Sequence, residues 1–327
     1  MTTLVTGSSG HLGEALVRTL RAGRREAIGI DVRPGAFTQL VGSITDRGFV
    51  RQCMRGVTAV LHAATLHKPH VATHSRQDFV DVNVTGTLNL LEEAAAAGVA
   101  AFVYTSTTSV FGDALVPPPG EPAAWVTEEI IPVPKNIYGV TKAAAEDLCQ
   151  LFARNHSLPV VVLRTSRFFP EEDDNHVIRD GYADANVKAN EFLHRRVDIE
   201  DVVSAHLLAI SHAPLAGFAK YIISATSPFS PDDIMDLRSN LPRVLRRYVP
   251  DFELEYARRG WTMAVGIDRV YVNDRARAKL GWQPRHDFRA LLARLQADDD
   301  IRSPLAREVG SKGYHDRVFR DGPYPLG

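Results

Sequence analysis

The segment Gly7-Ser8-Ser9-Gly10-His11-Leu12-Gly13 (GSSGHLG) decides the fold class. It follows a short strand-like run, Thr3–Thr6. It opens a stretch in which Leu12, Leu16 and Leu20 recur every four residues, which predicts a helix over His11–Ala22. Glycines let the backbone turn tightly and approach a pyrophosphate, and the helix start then presents unbonded N–H groups and a positive dipole end. Strand, glycine turn and helix in that order predict a dinucleotide-binding unit.

Outward from this segment, short apolar runs alternate with helical patterns, which predicts an α/β fold with a parallel sheet. Strands are expected at Glu26–Asp31, Thr58–Ala63, Ala101–Thr105, Val160–Arg164 and Tyr221–Ala225. Helices are expected at Asn83–Ala97, stopped by Gly98, and at Tyr138–Asn155 and Asp201–His212. After Ser166 the chain turns polar and irregular, returns to the sheet pattern near Val197, and leaves it again at Pro228. The expected architecture is a Rossmann-type doubly wound sheet (1–165 plus 197–226) with a smaller, discontinuous substrate-binding lobe (166–196 plus 227–296). A charged C-terminal arm (297–327) is expected at the surface.

Composition excludes several classes. Of 327 residues, 45% are apolar and 24% charged, with a formal net charge of -1, so no basic field attracts nucleic acid or a membrane surface. No apolar run is long enough to span a bilayer. No signal peptide is evident at the N-terminus. The two cysteines, Cys53 and Cys149, lie outside any metal-ligand spacing and fit core positions in a reducing, cytoplasmic setting. His67, His70 and His74 have no acidic partner spacing that would make a metal site.

Asp31 ends the second strand, where a carboxylate accepts hydrogen bonds from ribose hydroxyls and repels a 2′-phosphate, favouring NAD. Arg33, two residues on, weighs the other way. Tyr138-Gly139-Val140-Thr141-Lys142 places Tyr and Lys four apart, on one helix face. A nearby ammonium favours the phenolate, and a neighbouring hydroxyl can hold the reacting oxygen. Upstream, Tyr104–Gly112 (YTSTTSVFG) supplies five consecutive hydroxyl residues after an apolar run.

Together these motifs resemble the extended short-chain dehydrogenase/reductases of the NAD-dependent epimerase/dehydratase family. The likeness runs over residues 1–295 and includes Asp198–His206 (DIEDVVSAH) and Leu280–Pro284 (LGWQP). It implies a catalytic set of Thr107, Tyr138 and Lys142, with Ser106 the second choice of hydroxyl. It implies NAD contacts from Gly7, Ser9, Gly10, His11, Leu12, Gly13, Asp31, Ser43, Ile44, Ala63, Ala64, Leu66, Lys68, Asn83 and Thr105, besides Tyr138 and Lys142. Asn83 also reads as a helix N-cap. Ser43 stands where the family carries an acid, and Phe111 where it often carries Tyr.

Substrate contacts are expected from Thr107, Thr108 and Arg167. Arg167 stands where the family has a substrate-binding Asn, and a surface ion pair is its alternative. Arg195 and Arg196 would meet an anionic substrate or cap a solvated face. Trp125 would pack over the substrate or anchor its loop. Sugar dehydratases of the family resemble Thr-Asp-Glu where this chain has Thr107-Thr108-Ser109, which steers away from dehydration. The resemblance implies an epimerase of a sugar or nucleotide-sugar, with a dehydrogenase of a sugar or other secondary alcohol as the alternative. A non-catalytic NAD-sensing protein is the remaining one. It also implies a homodimer through the helices near Thr85–Ala97 and Gly139–Asn155.

Overall fold

The computed structural model describes residues 1–173, 175–315 and 319. Its strands are β1 (Thr2–Thr6), β2 (Glu26–Asp31), β3 (Leu40–Val41), β4 (Ala59–His62), β5 (Ala101–Thr107), β6 (Ala124–Val126), β7 (Val160–Thr165), β8 (Phe218–Ile223) and β9 (Arg269–Tyr271). Seven make one sheet, ordered β3-β2-β1-β4-β5-β7-β8, and every neighbouring pair is parallel. Helices cover both faces, so β4 and β7 are buried along their whole length and open on apolar runs, Ala59–Leu61 and Val160–Leu163. The chain winds outward from β1 through β2 to β3, then returns to β4 on the other side of β1. At such a reversal a crevice opens outside the carboxyl ends of the strands. The glycine loop leaves β1 into that crevice, and Ala63 leaves β4 into it.

The His11–Ala22 helix buries Leu12, Leu16 and Leu20 against the sheet, as the four-residue spacing predicts. The helix expected from Asn83 starts earlier. Ser75 and Asp78 form a reciprocal cap, and helical backbone runs from Arg76 through a wide π-type turn, Val80–Thr85, into Gly86–Ala96. Asn83 is therefore interior and not an N-cap. The helix carrying Tyr138 spans Ile137–His156, capped by the Asn136 side chain, which accepts the Gly139 N–H at 3.1 Å.

A second apolar cluster joins Phe192 and Leu193 with Leu241, Leu245, Phe252 and Phe288. A further stretch inserts into this cluster from earlier in the chain: Ala123 packs in it, and β6 pairs with β9. The expected surface arm is not free over its described part. Residues Pro304–Val309 form a helix, and Val309 is buried in the core beside the His11–Ala22 helix. The remainder of the arm, 316–318 and 320–327, lies outside the described residues. Cys53 and Cys149 are buried free thiols. No helix among the described residues is long and apolar enough to cross a membrane.

Beneath the carboxyl ends of β5 and β7 lies a buried ion pair. Glu146 and Arg164 have side chains 2% and 3% exposed and meet at 2.7 Å. Glu146 also accepts from the Ser106 hydroxyl at 2.6 Å and lies 3.3 Å from Lys220 Nζ. Burial works to raise its pKa, but Arg164, Lys220 and Ser106 prevail and hold the carboxyl below its ordinary value.

Buried histidines set an acid limit. Burial pushes His206 down to about 4, and His62 and His194 lie well below the ordinary value for the same leading reason. All three are neutral in the fold and take up protons once unfolded. The unfolded chain therefore binds more protons below pH 6.5, and stability falls as pH drops from about 6.5 toward 4. Each histidine contributes up to about 1.4 kcal/mol per pH unit in that window. Urea midpoints measured between pH 7 and pH 5 should decrease steadily; a flat series would contradict this assignment.

Candidate active site

The crevice at the strand reversal is a cavity of about 1010 Å³. Of the residues expected to touch cofactor, all but Asn83 line it, from Asp31 at one end to Tyr138 and Lys142 at the other. Gly13 sits where an added Cβ would lie 1.9 Å from the Gly7 carbonyl oxygen, so only glycine lets the helix start this close to the loop. Asp31 is oriented by two backbone donors, Ser9 N–H at 3.0 Å and Arg33 N–H at 2.9 Å, one on each oxygen. Carboxylate oxygens accept more than one hydrogen bond, which leaves capacity for ribose hydroxyls. The Asn89 side chain donates to the Ile44 carbonyl at 3.0 Å and holds the Ser43–Ile44 turn in the wall. Loop, helix start and carboxylate together fit a dinucleotide.

One polar chain ties the crevice together. The Thr6 hydroxyl oxygen accepts N–H bonds from Ala63 and Ala64 at 3.1 and 3.0 Å and donates to His62 Nδ1 at 2.8 Å. His62 Nε2–H then donates to Thr87 at 2.9 Å, and Thr87 to the Asn83 carbonyl at 2.7 Å. The Asn83 side chain accepts from Thr65 and from Leu66 N–H and donates to the Leu66 carbonyl and Thr141. Its two acceptor and two donor positions are thus used by the protein. The structure corrects the expectation of a direct cofactor contact: Asn83 is buried, off the cavity wall, and clamps Leu66 to the Tyr138 helix.

Thr107 is the last residue of β5, where the strand delivers its hydroxyl to the cavity. Its hydroxyl accepts the Ser109 N–H at 3.1 Å and lies beside the Tyr138 phenol. Ser106 faces the other way and spends its hydroxyl on Glu146. Burial raises Tyr138 to about 12, with the Thr107 hydroxyl pulling it down. Burial lowers Lys142 to about 7, opposed by Glu146. The Lys142 ammonium donates to the Thr105 carbonyl at 2.6 Å and lies 4.1 Å from the Tyr104 ring centre. The Thr105 hydroxyl donates to His206 Nε2 at 2.8 Å.

The far end of the cavity carries Arg167, Arg195 and Arg269 among its described wall residues. Arg167 reaches Asp173 at 2.5 Å and Glu191 at 2.8 Å, and Arg195 reaches the same Glu191 oxygen at 2.8 Å. Arg196 is buried on the other Glu191 oxygen at 2.7 Å and does not line the cavity. Arg269, on β9, lines it beside Tyr271. The Nε atoms of Arg195 and Arg269 and the Ser166 hydroxyl are buried without a hydrogen-bond partner. Trp125 packs in the second apolar cluster, away from the cavity, so it anchors its strand and does not cover substrate.

Arg269 and the wall residues Phe169 and Tyr314 were not foreseen from sequence. Arg269 sits on a three-residue strand with no motif around it. Tyr314 lies in the charged tail, where the flanking glycines Gly310 and Gly313 were the available signal. The histidine-rich loop packs ring against ring: His67 is 5.8 Å from Tyr138 and 5.2 Å from Phe169.

Comparison with known proteins agrees with this geometry. The model of the NAD-dependent epimerase/dehydratase family matches residues 3–219. An uncharacterized protein of Sinorhizobium fredii, y4nG, is 36% identical over 170 residues, which cover 50% of this chain and 40% of that protein. The chain thus spans less than half the length of that relative. A UDP-glucose 4-epimerase of Streptomyces lividans is 26% identical over 319 residues, covering 86% of this chain and 91% of the relative. A short-chain dehydrogenase/reductase superfamily protein of Agrobacterium tumefaciens, solved with bound NAD, superposes with a TM-score of 0.66 at 25% identity, covering 94% of this chain and 99% of that one. The chain belongs to the NAD-dependent epimerase/dehydratase family, and its cofactor is NAD.

Proposed function

We propose that the protein epimerises a sugar that carries an anionic group, a nucleotide-sugar in the first instance. The observation that carries the reading is the meeting of Thr107, Tyr138 and Lys142 at the carboxyl end of β5, in one cavity with Arg167, Arg195 and Arg269. Full-length similarity to a UDP-glucose 4-epimerase supports the substrate class. Bound NAD supplies the acceptor and donor of hydride. Tyr138 takes the proton from the substrate hydroxyl and returns it to the ketone oxygen. Thr107 holds that oxygen, and Lys142, when charged, favours the phenolate. Burial works against the phenolate, and the Thr107 hydroxyl works against that rise.

Dehydration needs an acid beside the reacting carbons. Among the described residues, the carboxylates of the cavity wall are Asp31 at the cofactor end, Asp173 on Arg167, and Glu171, which accepts from Ser311. Thr108 and Ser109 occupy the positions next to Thr107. This distribution favours epimerisation over elimination. A dehydrogenase that exchanges its cofactor each turnover is the second reading, since the same three residues serve it.

Incubation with UDP-glucose and other UDP-sugars, followed by proton NMR, should show interconversion of epimers without added cofactor. Acid denaturation should release about one NAD per chain. A protein that emerges empty, and turns over only with added NAD, is a dehydrogenase. Tyr138→Phe should lower kcat by about 10²–10⁴-fold while NAD binding persists. Arg269→Ala should raise KM for the anionic sugar about tenfold or more, with kcat little changed, since a charge-assisted bond is worth about 1.5–3 kcal/mol. An unchanged KM would remove Arg269 from the substrate site.

A further inference from the structure

After the Pro304–Val309 helix the chain turns at Gly310 and Gly313, both with positive φ (63° and 66°) and both open to solvent where a Cβ would point. Between and beyond these hinges it crosses the mouth of the cavity. The first contacts are on the phosphate-loop side: His11 Nδ1–H donates to the Gly310 carbonyl at 2.9 Å, and Lys312 pairs with Glu14 at 2.6 Å. Ser311 then donates to Glu171 at 2.6 Å, on the segment that follows β7. Last, His70 Nε2–H donates to the Tyr314 carbonyl at 3.1 Å, and His315 Nε2–H to the Pro69 carbonyl at 3.1 Å, on the loop that follows β4. The Tyr314 ring lies 5.6 Å from Phe169 and 5.9 Å from His67. Six residues thus bridge three walls of the cleft, and Lys312, Gly313, Tyr314 and His315 form part of the cavity surface itself.

We infer that Gly310–His315 is a cofactor-retaining strap: it completes the NAD site, and its opening sets the rate of cofactor exchange. Lys312 adds a cation beside the glycine loop, where the pyrophosphate is bound. Tyr314 closes the wall near the ring of His67, which itself faces Tyr138. The strap is built to open. Its Ser311–Gly313 portion is exposed, and two glycines bracket its turn. Retention of this kind is what an enzyme needs when it must return hydride to the same substrate molecule. The inference concerns NAD release alone and holds for either reaction above.

The test measures release of NADH from the full chain, without sugar, by stopped-flow fluorescence after displacement with excess NAD. A Lys312→Ala, Tyr314→Ala chain should release NADH at least tenfold faster than the parent. A second chain, Gly310→Ala with Gly313→Ala, keeps every contacting side chain and strains only the closed backbone, because alanine disfavours positive φ. It should also release faster, by threefold or more. Far-UV circular dichroism and urea midpoints establish which chains are folded, and any folded chain decides. Release at the parent rate in a folded variant of either kind overturns the strap, whether or not the protein proves to be an epimerase.

Discussion

The Thr6 hydroxyl spans the strand reversal on which the site depends. It accepts two N–H bonds from the turn after β4 and donates to His62, so β1 and β4 are stitched at the point where both release their chains into the crevice. Burial keeps His62 neutral, which fixes the direction of every bond that follows: His62 to Thr87, Thr87 to Asn83, Asn83 to the Leu66 backbone and Thr141. The cofactor wall and the Tyr138 helix are therefore set relative to each other by one chain of directed hydrogen bonds. In an apolar interior such a chain is strong when complete and costly when broken, since each unpaired group there loses its solvation with nothing in return.

Electrostatics beneath the site follow the same logic. The deep position that excludes water also pushes Tyr138 up to about 12 and Lys142 down to about 7, both toward their neutral forms. Glu146 opposes this for Lys142, one helical turn away on the same helix. A lone carboxylate could not remain ionised there. Arg164, locked on it at 2.7 Å, and Lys220 at 3.3 Å keep it so. The ion pair also takes the Ser106 hydroxyl, which leaves Thr107 as the strand-end hydroxyl beside Tyr138. Two adjacent residues of one hydroxyl-rich run thus have opposite duties, because alternate residues of a strand face opposite sides.

What was legible in the sequence was whatever local chemistry compels. Glycines at a strand-to-helix turn, leucines every four residues and a Tyr–Lys pair on one helix face each have one economical structure, and these elements lie where their patterns put them. Asn83 shows the limit. Its place at the head of an alanine-rich helix suggested a cap, yet Ser75 and Asp78 supply the cap upstream, and the asparagine is interior. Nothing in its neighbours along the chain reveals that Leu66 and Thr141 would take all its bonds. Trp125 and Arg196 are similar cases, since their surroundings come from β9 and from Glu191, both remote in sequence or hidden by the fold.

The substrate end was the least legible part because its charge is shared. Arg167, Arg195 and Arg196 crowd onto Glu191, whose pKa is driven far below the usual carboxylate range: burial opposes the shift, and the three guanidinium groups overcome it. Asp173 also pairs with Arg167 and lies 4.0 Å from Arg195. Arg269 then adds a fourth guanidinium to the same region of the fold, and it lines the cavity. Buried Nε donors on Arg195 and Arg269 without a hydrogen-bond partner are stable only at the edge of a cavity that admits water or an anion. The same argument explains why an exposed ion pair was a reasonable reading of Arg167 from sequence. The pairing is present, and it holds the guanidinium at the cavity wall.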